Sequence, residues 1–184
     1  FHSAFMYYPI WNDFTFTAKL TDMDINGTLG GFAGLMAKQN SYIPSTNYWM
    51  QSVGATLGNG TDLPNGIFTQ WRGENNYNSI TSYTDDLNWT APIWFKLVRR
   101  GSLFWTGVSD DGQHYVTQST VFVSADTVPF SDQVLVGFRL HSATPQGDLV
   151  SADFDDIRIG EAALTTTDVF SLVTIPQDDA YVNP

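Results

Sequence analysis

The stretch Asp13–Leu20, DFTFTAKL, sets Phe14, Phe16, Ala18 and Leu20 at alternate positions, with Thr15, Thr17 and Lys19 between them. Successive side chains of an extended strand point to opposite faces, so a period of two makes one apolar and one polar face. A helix would scatter the same residues around its circumference. The pattern returns at residues 31–38 (GFAGLMAK), 48–57 (YWMQSVGATL), 67–72 (IFTQWR), 94–99 (WFKLVR), 102–108 (SLFWTGV), 114–123 (HYVTQSTVFV), 134–141 (VLVGFRLH) and 149–159 (LVSADFDDIRI). Each segment is short, rich in aromatic or β-branched residues, and bounded by Gly, Pro, Asn or Asp. None carries an apolar stripe of helical period. So many short strands in 184 residues predict an all-β fold: a two-sheet antiparallel β-sandwich in one domain.

Three local features refine this expectation. Asp111-Gly112 in SDDGQHY can supply the positive φ of a tight hairpin turn. In ADFDDIRI the apolar positions run Ala152, Phe154, then Ile157 and Ile159, so the parity shifts at Asp155-Asp156 as a β-bulge requires. The polar stretch 73–92 reads as a surface loop. Past residue 159, the extension 160–184 contains TDVFSLVTI, whose Val169, Phe170, Leu172, Val173 and Ile175 make a strand apolar on both faces. Such a strand must add to a sheet edge, either of its own chain or of an identical subunit. Donation from molecule to molecule would build a filament.

Composition bounds the partners. Nineteen acids against eight bases give a net charge of −11, which argues against nucleic acid, since phosphate binding needs a broad positive surface. With no cysteine there is no disulfide framework, thiolate metal site or cysteine nucleophile. No apolar run is long enough to span a membrane as a helix. The chain opens on Phe1, which is the expectation for a processed protein or a fragment.

In register along residues 1–159, the segments FHSAFMYYPIWNDFTFTAKL, AGLMAKQN, IFTQWRGEN, PIWFKLVRRGSLFWTGVSDDGQHYV and VLVGFRLHSATPQGDLVSADFDDI resemble the concanavalin A-like, laminin-G-like jelly rolls of the DUF1349 type. The resemblance implies two antiparallel sheets, one of them curved and often ligand-facing, in an accessory module of an extracellular or cell-surface protein, with carbohydrate as the usual inferred ligand. It also implies a further strand or two ahead of the segment at which this chain begins.

The chemistry-bearing residues fit binding better than catalysis. Retaining glycoside hydrolysis needs two carboxylates about 5 Å apart across the scissile bond. The nearest set, Asp153, Asp155, Asp156 and Glu161, lacks the Glu-x-Asp-x-x-Glu spacing of glucanases with this fold. His2, His114 and His141 come with no Gly-x-Ser-x-Gly elbow. No catalytic residue and no required cofactor is expected. Strand parity, by contrast, turns Trp94, Lys96, Trp105, Arg139, His141 and Lys38 outward, with either Trp71 or Arg72, and suggests that they gather on one sheet. Aromatic faces stack on sugar rings while Arg and Lys donate to hydroxyls, carboxylates or sulfates, so these residues form the candidate glycan site. The same residues could instead pair with nearby acids and cover apolar surface.

Two further motifs stay open. Asp22, Asp24 and Asn26, followed by Gly27, match the first half of a calcium-binding loop, but Ala33 stands where the bidentate glutamate would fall. The segment is a structural calcium site or a polar connector. Asn26, Asn59 and Asn88 each open an N-glycosylation sequon.

Overall fold

A computed structural model describes residues 2–26, 30–39, 50–58, 65–72, 80–84, 89–122, 133–142, 149–160, 162–163 and 171–175; at 2, 3, 26, 72, 80–84, 162, 163 and 171–175 it describes the backbone alone. The strands are β1 (His2–Trp11), β2 (Phe14–Asn26), β3 (Gly30–Gln39), β4 (Met50–Gly58), β5 (Gly66–Arg72), β6 (Ile80–Thr84), β7 (Ile93–Arg100), β8 (Leu103–Ser109), β9 (Val116–Phe122), β10 (Gln133–Ser142), β11 (Leu149–Ile159), β12 (Ala162–Ala163) and β13 (Ser171–Ile175). They form a seven-stranded sheet, β13-β1-β10-β3-β4-β5-β6, and a six-stranded sheet, β12-β11-β2-β7-β8-β9. Every described pairing is antiparallel. The predicted all-β, two-sheet sandwich is what the chain forms.

The core lies between the sheets and is built by the alternation itself. Phe14, Phe16, Ala18 and Leu20 of β2, with Phe95 and Leu97 of β7, face Val134, Val136 and Phe138 of β10 and Leu35 of β3. Phe16 meets Phe138 across the sandwich with ring centres 5.4 Å apart, and Phe138 meets Phe154 of β11 at 4.6 Å. Phe16 and Phe95 are fully buried, and burying such a side chain contributes about 1.5–3 kcal/mol.

Two elements depart from the sequence reading, and a third takes one of the two pairings it left open. Residues 2–11, which alternate poorly, form β1, because that strand is flanked by β10 and β13 and buries side chains on both faces, Ile10 inward and Phe5 outward. Within the polar stretch 73–92, residues 80–84 form β6, an edge strand that pairs with β5 from Ile67↔Thr84 to Trp71↔Ile80. An edge needs backbone pairing on one side only, so apolar periodicity is a poor guide to it. The tail strand is described over Ser171–Ile175, with Val169 and Phe170 outside the described residues, and its partner is β1 of the same chain, from Ser3↔Ile175 to Tyr7↔Ser171. The edge of β1 that a donated strand would take is therefore occupied from within.

Candidate functional site

Both predicted irregularities of the six-stranded sheet are present, and both shape its outward face. The β2–β11 ladder shifts register between Asp153 and Phe154 and again between Asp155 and Arg158, with Asp156 at φ 47°. In the β8–β9 hairpin Gly112 takes φ 73°. The Asp111 carboxylate organises that turn, accepting from Ser109 Oγ (2.8 Å), the backbone N–H of Gln113 (2.7 Å) and of His114 (2.8 Å), and meeting His114 Nδ1 at 2.7 Å. The His114 contact above all, with these backbone bonds, holds the Asp111 carboxyl far below the usual carboxylate range; the same contact raises His114 above 6.5.

Trp94 and Trp105 sit on this outward face in matching settings. Trp105 lies over Gly107: a Cβ there would come within 2.8 Å of its Cη2 and 3.0 Å of its Cζ2. Its indole Nε1 donates to Thr117 Oγ1 at 2.7 Å, and Lys96 Nζ stands 5.6 Å from its ring centre and 4.7 Å from that of Tyr115. Trp94 lies against Gly112, where a Cβ would come within 2.8 Å of Nε1. Its Nε1 donates to Asp156 Oδ2 at 3.4 Å, and Lys19 Nζ stands 5.1 Å from its ring centre. Asp156 is held in turn by Arg158, whose Nε donates to Oδ1 at 2.7 Å. Each indole thus has a glycine against it, an acceptor on its N–H and a lysine at its face, while the ring stays half-exposed. Among the described residues Arg158 and His114 ion-pair with Asp156 and Asp111, and neither Lys19 nor Lys96 has such a pair. Burial of the ring, and then the charge of Asp156, raise the Tyr115 hydroxyl above its ordinary range.

The other predicted ligand residues do not join this face. Lys38 is on β3, and Arg139 and His141 are on β10, so all three belong to the seven-stranded sheet. The expectation of one shared sheet is corrected: alternation says whether a side chain points to the core, and not which sheet its strand enters. Arg139 Nη1 bonds Gln70 Oε1 at 2.5 Å with its guanidinium 5.4 Å from the Phe32 ring centre. Burial, then the Arg139 charge, lower His141 to about 3. Of the pair left open, Trp71 points inward with Ile67 and packs on the core, beside its cross-strand partner Gln51, which is 0% exposed. Arg72 ends β5.

Asp22 and Asp24 are exposed side chains within β2, which runs to Asn26, so this stretch is strand and not a connector. An extended strand spaces the alternate Asp22 and Asp24 side chains by about 7 Å, unlike the wrapped oxygens of a calcium loop. Among the described residues no group of three His, Asp or Glu side chains is placed to hold a metal. Of the acids weighed for catalysis, Asp155 Oδ1 accepts the Asp156 backbone N–H at 2.8 Å and Asp156 is engaged by Arg158; both serve the bulge. Glu161 and the sequon residues Asn59 and Asn88 lie outside the described residues, as does the Asn26 side chain.

Sequence reasoning missed Lys19, Tyr115, Thr117 and Gly107, and read Gly112 only as a turn residue. A tryptophan two residues before a glycine on one strand face, Trp105-x-Gly107, was the available signal.

No family model matches the sequence, and no curated protein does. Solved structures do. A functionally unknown protein from Saccharomyces cerevisiae superposes with a TM-score of 0.60 at 15% identity, over 86% of this chain and 74% of that one. The GH43 protein BlXynB from Bacillus licheniformis gives 0.55 at 14%, over 85% of this chain and 33% of that one. Rv0315 of Mycobacterium tuberculosis, described as an immunostimulatory antigen and pseudo β-1,3-glucanase, gives 0.55 at 12%, over 84% and 66%. At these identities the likeness concerns the fold, and it places the chain among the jelly-roll-type β-sandwiches.

Proposed function

We propose that this chain is a non-catalytic glycan-binding module of an extracellular, cell-surface or matrix protein, and that its ligand face is the outward face of the six-stranded sheet. The observation that carries this reading is the pair of tryptophans, each pre-set by a glycine and an N–H acceptor and each beside a lysine with no described ion pair. A rigid, half-exposed indole offers a stacking surface for the C–H face of a sugar ring at little entropic cost. A lysine beside it donates to ring hydroxyls or to acidic substituents. Of the acids within reach, Asp111, Asp155 and Asp156 are engaged in the hairpin and the bulge, which favours binding over catalysis. The glycan-related names of two structural neighbours agree with the reading.

A glycan array probed with the intact chain tests it. We expect capture of at least one polysaccharide class and a tenfold or greater loss in Trp105→Ala and in Trp94→Ala, about 1.4 kcal/mol each. Circular dichroism should stay unchanged. Absence of any glycan signal, or full binding by the double variant, would overturn the proposal.

A further inference from the structure

The two tryptophan units are separated in a way that bears on what they read. Trp105 is the cross-strand partner of Val98, four positions along β7 from Trp94. At the rise of an extended strand their backbone positions are about 13 Å apart along the sheet and one strand spacing, about 5 Å, across it. The line continues. Leu103 pairs with Arg100 on one side and Phe122 on the other, one outward position beyond Trp105. Phe122 has the parity of Thr120, the partner of Trp105, so it shares the outward face, and it is 72% exposed, with Leu103 at 39%. A large aromatic side chain so exposed at the end of a strand contributes little to the fold. From Trp94 through Trp105 to Phe122 the row covers six strand positions, about 20 Å.

We infer that this row reads an internal stretch of an extended, linear polysaccharide, with pyranose rings seated in turn on Trp94, Trp105 and Phe122, in preference to a single sugar or a chain end. The inference rests on the glycan-binding reading above. One or two sugar rings reach a single platform; only a chain of several rings engages all three. Repetition of one chemistry along a line answers a ligand that repeats. Each lysine stands at the ring face where a sugar would seat, so binding moves its ammonium from the indole to the sugar's oxygens and exchanges one polar contact for another. A chain end would call for a closed cap on one side of the row. Among the described residues no cap closes the row, which reaches Phe122 on β9, the edge strand of its sheet.

The test is calorimetry on the intact chain with oligosaccharides of one to six units cut from a polysaccharide that it retains, drawn from a panel of β-glucans, xylans, mannans, pectins and sulfated galactans. Affinity should rise at least tenfold from two to five units and then level. Phe122→Ser should weaken the five- and six-unit ligands severalfold and leave the two-unit ligand unchanged. Because Phe122 is exposed, this variant should fold as the parent does. Gly107→Ala, which displaces the Trp105 ring, should flatten the dependence on length. A monosaccharide or disaccharide that binds as tightly as the hexamer overturns the inference while leaving the glycan-binding reading in place, and so does equal loss in Phe122→Ser at every length. Retention on none of the panel overturns both.

Discussion

The two outward faces of this sandwich show the same alternation in sequence and behave as opposites. On the six-stranded sheet the outward residues Trp94, Lys96 and Trp105 stay half-exposed, with Lys96 beside Trp105 and Lys19 beside Trp94. On the seven-stranded sheet the outward residues Phe5 and Met36 are fully buried and Met50 nearly so, a second small core with Tyr7 and Leu135 against it. Ser52 and Gln70 are buried beside them. Outward, then, means only away from the other sheet. One face is a surface and the other is an interior. Polar groups on the first can exchange partners with a ligand; those on the second are committed to the fold.

The largest effect expected from this contrast is on stability. Phe5→Ala should cost about 3–5 kcal/mol in denaturant unfolding, as for a residue of the central core. A cost below about 1 kcal/mol would mean that the seven-stranded face is open after all. Next, Arg139→Met removes the partner of a nearly buried amide oxygen, Gln70 Oε1, and should cost about 1–3 kcal/mol. Substitutions on the open face should be milder. Trp105→Ala should cost about 1 kcal/mol or less while binding is lost, and a larger destabilisation would make this tryptophan a packing residue.

The histidines sharpen the same comparison. His114, on the open hairpin, has a folded-state pKa above 6.5, so its contribution is full below 6.5 and is lost as pH rises through the raised value. Asp111, depressed by the same contact, contributes above its unfolded value of 3.8 and loses this as pH falls through its folded pKa. The hairpin is therefore best held between these two limits. NMR titration should place the His114 midpoint above 6.5, and Asp111→Asn should return it towards 6.5; an unmoved midpoint would break the assignment. His141 is lowered to about 3, so the unfolded chain binds the proton first. It subtracts stability as pH falls from 6.5 towards 3, and His141→Gln should lessen that acid sensitivity. A His141 midpoint near 6.5 would show that its side of the seven-stranded sheet is wet.

The parts legible in sequence were those where a local rule meets no rival. The bulge at Asp155-Asp156 and the positive φ at Gly112 could be read because a parity shift and an Asp-Gly turn are short-range signatures. β6 and β1 were obscured for opposite reasons: an edge strand with little apolar periodicity, and an inner strand with apolar side chains on both faces. Of the site, Trp94, Lys96 and Trp105 were found by parity. Lys19 lay on the polar face of the strand read first, but its place beside Trp94 depends on β2 pairing with β7, a register that spans more than seventy residues.

The sequence by itself determined the class of fold and the direction of most side chains, because a period of two acts within a single strand. Only the tertiary structure decided which strands share a sheet, and so that Arg139 and His141 stand opposite Trp94 and not beside it. It also decided that Phe5 is buried while Phe122 is exposed. Pairing and layer contacts are formed between residues distant in the chain, and the free energy that selects among them is the burial of whole faces. No window of neighbouring residues contains that quantity.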